Sequence, residues 1–219
     1  MTIELSEIVK SILSATESLQ AEDQLIFQQV VDKANSFIEG IEFLLQEECP
    51  ELAELFKPVI DEIFIDFHIA VTLAMAKRFK AAYVLLRTCI ELSVYLLYFV
   101  DHRVEARMWS NNSQDLNFSD ILTQVATSKY LTAASGRDIN EDEVKTTLKN
   151  LQCAYRDLSE RVHGKYMFLQ SAETEFKSTP TDFKAIVSKS VDALKSLIIF
   201  RCRDLDKLES KVPGIGRRI

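Results

Sequence analysis

Arg156 and His163 stand seven positions apart in the stretch QCAYRDLSERVHG, residues 152–164. An Arg can hold a phosphate with its forked cation. A His can take or give a proton near neutral pH. Together they are the groups needed to cleave RNA without a metal, where the neighbouring 2′-hydroxyl is the nucleophile. The spacing predicts a long helix to carry them. Asn140 suits its N-cap, with Glu143 at the capping-box position and Asp142 beside it at the positive end of the dipole. Val144, Leu148, Leu151, Tyr155, Leu158 and Val162 recur at spacings of four, three, four, three and four, which makes one buried stripe. Gly164 is the expected C′ residue. Arg156 and His163 lie roughly 100–120° from the stripe centre and about 20° from each other, on the flank that also holds Gln152 and Ser159.

A resemblance follows from these residues. Arg156, the polar Asp157, and then His163 at a helix end are similar to the R-x4–6-H motif of HEPN-domain ribonucleases, here with six intervening residues. The phrase YRDLSERVHG, with RTCIELSVYLLYF upstream, resembles HEPN-like helical proteins of prokaryotic defence and toxin systems. The resemblance implies an all-α, HEPN-like bundle acting on RNA as a homodimer, each chain offering Arg156 and His163 to one composite cleft. It also implies a 2′,3′-cyclic phosphate product, and leaves room for an antitoxin or other regulatory protein. Around the pair, Asp157 would orient a histidine or arginine, and Arg161 and Lys165 would add phosphate contacts. Glu160 and His163 form one E-x-x-H pair. The ferritin-like di-iron class needs two such pairs, and no second is found.

Composition bounds the alternatives. The chain has 219 residues, 47% of them hydrophobic, with five Gly and four Pro, which points to helices with short connections. We expect a mostly antiparallel bundle of six or more helices. An acidic N-terminal helical region, residues 1–57, would precede a HEPN-like bundle over 58–219, the two forming one compact domain. Cys49, Cys89, Cys153 and Cys202 are far apart, with no C-x-x-C, and His is scarce. Neither a metal site nor a cofactor is expected, and the cysteines read as reduced thiols of a cytoplasmic protein.

The net charge of −7 hides an asymmetry. Residues 1–66 hold fifteen acids and three bases, and residues 67–219 hold eighteen acids and twenty-three bases. An acidic protein is a poor general binder of nucleic acid, but the C-terminal two-thirds alone is not. The last twenty residues carry six bases: Arg201, Arg203, Lys207, Lys211, Arg217 and Arg218. A second class of function therefore stays open, a helical protein-interaction module that docks another chain through its acidic N-terminal region or its basic tail.

The remaining elements serve as the frame. Helices are expected over 3–20, from Asp23 to about Gln46, over a short 51–57, from Pro58 to about Lys77, from Lys80 to about Val100, over 119–128, and from Pro180 to about Ser210. The segment 81–100 is apolar, but Arg87 and Glu91 near its middle would be expensive in lipid, so no membrane span is expected. At i,i+4 these two can pair on the helix, as a structural ion pair that fixes packing register or helps orient the Arg156/His163 edge. His68, among Phe and Ile, reads as a core histidine, and the tail KVPGIGRRI as frayed.

Overall fold

The computed structural model describes residues 21–162 and 179–216. Among these residues every regular element is helical. In chain order they are α1 (Ala21–Glu48), α2 (Pro50–Met75), α3 (Phe79–Phe99), α4 (Arg103–Ser110), α5 (Phe118–Val125), α6 (Ser128–Ser135), α7 (Glu141–Val162), α8 (Pro180–Arg201) and α9 (Leu205–Lys211). A 3-10 turn, Pro213–Ile215, follows. The first expected helix, 3–20, lies outside the described residues.

Local chemistry sets most boundaries. The Asn140 side chain accepts from the backbone of Asp142 and Glu143 and so starts α7. Thr179 and Asp182 close a reciprocal capping box over Pro180 to start α8. The Asn117 and Thr127 side chains cap α5 and α6 by accepting from first-turn backbone N–H groups, and Gly136, at φ 70°, ends α6 in the left-handed conformation that an L side chain resists.

Two expected boundaries are corrected. Pro58 does not begin a helix. It lies inside α2, which already starts at Pro50. Glu54 and Pro58 both face solvent, so the carbonyl that loses its intrahelical bond can be met by water. The last expected helix breaks in two. Cys202 is extended, and the Asp204 side chain accepts from the backbone of Lys207 to start α9 separately.

Helix α3 is central, packed against α2, α5, α7 and α8. It is long and apolar enough to cross a membrane by length and composition, and 61% of that span is buried in the bundle. Against α3, α7 runs antiparallel, because Arg161 lies over the Tyr83 ring while Tyr155 reaches Arg87 and Glu91. Helices α1 and α8 run parallel: Phe27 meets Phe183, Lys33 meets Asp192, and Glu48 meets Arg201. One core joins them, from Phe27 on α1 to Ile215 at the C-terminal end.

The tail through Gly216 is docked, not frayed. Val212 and Ile215 are buried against α1 and α8. A Cβ on Gly214 would lie 2.7 Å from the Ser36 Cβ, and one on Gly40 would lie 2.6 Å from Ile215 Cδ1. The two glycines let the turn sit down on α1. Lys195 on α8 holds the turn by donating to the Gly214 carbonyl at 2.8 Å.

Burial pulls the Lys195 ammonium down to about 8. Between that value and pH 10, where tyrosines begin to ionise, the unfolded chain keeps this proton and the folded chain does not. The Lys195 contribution to stability therefore rises with pH in that window, by at most about 1.4 kcal/mol per pH unit, while the buried thiols of Cys49, Cys89 and Cys202, raised by burial, contribute in the opposite sense. Urea titrations should show a more positive slope against pH in the wild type than in Lys195→Met. Equal slopes would refute the assignment.

Candidate functional site

The site is built on α7 and the face of α3 beneath it. The buried residues of α7 are Val144, Thr147, Leu151, Ala154 and Leu158. Small side chains at 147 and 154 let the helix press into the bundle, so the buried centre is rotated by roughly 50° from the stripe read in the sequence. Leu148, Tyr155 and Val162 become half-buried edge residues. Arg156 then stands roughly 150–160° from the buried centre instead of at its edge. It is exposed, and among the described residues its hydrogen-bond contact is the Cys153 sulfur, 3.9 Å from Nη2. Among the described residues no carboxylate ties it down.

Beneath lies a polar triad. Arg87 and Glu91, one turn apart on α3, pair at 3.2 Å and are each about a quarter exposed. The Tyr155 hydroxyl accepts from Arg87 Nη2 at 2.8 Å and from Nε at 3.1 Å, and it donates to the Glu91 carboxylate. The Tyr155 ring stacks on Phe118 of α5, with centroids 3.9 Å apart. Burial, together with the hydrogen bond given to Glu91, raises the Tyr155 hydroxyl above its ordinary value. Burial followed by the Glu91 charge pushes Tyr95 up to about 12. Both phenols therefore stay protonated at neutral pH and act as donors, not bases. The triad locks α7 to α3 directly beneath the turn that carries Arg156.

Tyr155 was read only as part of the apolar stripe. Its signal was there: a Tyr on a buried face brings a hydroxyl that needs a partner, and an ion pair inside an apolar helix needs a further one.

The other expected site residues fall into two groups. Ser159 donates to its own helix at the Tyr155 carbonyl, 2.9 Å away, which commits its hydroxyl proton locally. Arg161 sits with its guanidinium carbon 5.1 Å from the Tyr83 ring centre, on the opposite side of α7 from Arg156, which points it away from a ligand held there. Asp157 and Glu160 are half-buried on the last two turns. His163 and Lys165 lie outside the described residues, as does Gly164. His68 is half-buried, not a core residue: Nδ1 meets the Phe64 carbonyl at 2.7 Å and the ring packs on Phe64.

Part of the basic tail is paired within the bundle among the described residues. Arg201 is 3% exposed and grips Asp101 through two nitrogens, Nε at 3.0 Å and Nη2 at 2.6 Å. Glu48 lies 3.9 Å from Arg201 and 3.2 Å from Arg203, and Lys207 pairs with Glu47. Tyr130 donates to Asp101. Three of the six tail bases thus pair with α1 and the end of α3; Arg201 is buried, while Arg203 and Lys207 remain exposed.

No family model, curated protein or solved structure matches this chain.

Proposed function

We propose that the chain is a metal-independent endoribonuclease of the HEPN type, acting in the cytoplasm as a toxin or anti-phage effector, with Arg156 and His163 as its catalytic pair. The observation that carries this reading is the exposed Arg156, held on a rigid helix with no carboxylate of the described residues to neutralise it. The all-α bundle supports it.

In this reading Arg156 binds the non-bridging oxygens of the scissile phosphate and stabilises the charge that builds there. His163, which lies outside the described residues, would exchange protons with the reacting oxygens. The 2′-oxygen forms a bond to phosphorus, the bond to the 5′-oxygen breaks, and that oxygen leaves with a proton. The products are a 2′,3′-cyclic phosphate and a 5′-hydroxyl. A homodimer supplies two pairs to one cleft.

The test is cleavage of a mixed RNA pool by purified protein with EDTA present. The wild type should cut and His163→Ala should not. A requirement for Mg²⁺, or equal cutting by His163→Ala, overturns the reading. In cells, expression of the wild type should be toxic and His163→Ala harmless.

A further inference from the structure

Exposed apolar side chains are ordinarily scattered, but here they gather on one helix. Leu55, Phe64, Ile65 and Ile69 of α2 are each at least 40% exposed. Glu62, Ile65, Ile69 and Thr72 recur at spacings of three, four and three, so one outward face of α2 carries the two isoleucines in its middle. Val84 of α3, 42% exposed, extends the patch. Cys89 of α3 reaches the Ile63 carbonyl at 3.6 Å, and α3 runs back along α2, which places Val84 beside the Ile69 end.

The charges around this patch are arranged in two blocks. Asp61 and Glu62 are exposed on its N-terminal side, with Asp61 near Lys57 at 4.0 Å along the same helix. Lys77 and Lys80 are exposed on its C-terminal side, where the chain turns into α3. Asp61 is eight residues before Ile69 on α2, about 12 Å along its axis, and Lys77 stands just past the end of α2 at Met75, where the chain turns back.

We infer that the outer face of α2 is the docking surface for a second copy of this chain, the two α2 helices crossing antiparallel about Ile69. A two-fold interface must be self-complementary, each residue i meeting j while j meets i. About Ile69 this symmetry sets Ile69 on Ile69, Ile65 on the half-buried Leu73, and Asp61 and Glu62 against Lys77 and Lys80. A parallel pairing sets acids on acids, so the charge pattern selects the antiparallel one. The surface is argued from α2 and its turn alone and stands whether or not the chain cuts RNA. The response of the dimer to substitutions on α2 reads it, whereas cleavage reads the Arg156/His163 assignment.

Light scattering of the full chain at tens of micromolar should give twice the 25.0 kDa chain mass. Ile69→Glu, at an exposed position, should keep the helical circular dichroism and raise the dimer Kd by about tenfold or more. Reversing Lys77 and Lys80 to Glu should weaken the dimer, and adding Asp61→Lys and Glu62→Lys should restore it. A monomeric wild type overturns the proposal, as does a dimer indifferent to Ile69→Glu. A dimer that Ile69→Glu splits, but that the four-residue reversal leaves split, overturns the antiparallel register.

Discussion

Arg156→Ala should fold as the wild type does and lose RNA cleavage by a factor of about 10²–10³, the scale seen when one donor to a developing oxyanion is removed. The side chain is exposed and faces away from the core, so its truncation leaves no cavity and no stranded buried charge. Circular dichroism and the urea midpoint should stay put while single-turnover cleavage collapses. Arg156→Lys is the sharper variant. It keeps the charge and loses the two-pronged geometry, so if the fork matters it should recover little of the activity. Full activity in Arg156→Ala would remove Arg156 from the site. Full activity in Arg156→Lys would reduce its role to a point charge.

Arg201→Met should be strongly destabilising. It deletes the buried cation that grips the partly exposed Asp101 and lies 3.9 Å from Glu48, which keeps Arg203 at 3.2 Å, so the cost of breaking a fully buried pair is an upper bound here. Removing one partner of a buried pair costs about 3–5 kcal/mol. For a chain of this size that lowers Tm by roughly 6–20 °C. Asp101→Asn should cost less, because Tyr130 and Arg201 keep a neutral acceptor. A melting curve for Arg201→Met that overlays the wild type would show the network to be ornamental.

These two arginines also mark the boundary between sequence and tertiary structure. Both were legible as bases in helices. Periodicity and capping, which depend on residues a few positions apart, were legible too: the Asn140 cap, the Thr179–Pro180 start, the apolar run of α3, and the all-α class. What the sequence could not rank was which of two adjacent faces of α7 presses inward. That depended on the small Thr147 and Ala154 fitting against neighbouring helices, and it moved Arg156 from the rim of the buried face to its back. Nor could it decide that Arg201 is interior while Arg156 is exposed, because burial follows from Glu48 and Asp101 arriving from distant helices.

The docked tail has the same origin. Gly40 falls inside an expected helix and Gly214 in the tail read as frayed, yet their missing side chains are the space in which Pro213–Ile215 seats. Tyr155 joined Arg87 and Glu91 for the same reason: a hydroxyl finds its partner through packing, and the partners lie 64 and 68 positions away. Helical pattern, capping and charge are short-range and are written in neighbouring residues. Burial, pairing and the orientation of a helix about its own axis are long-range, and only the packed bundle decides them.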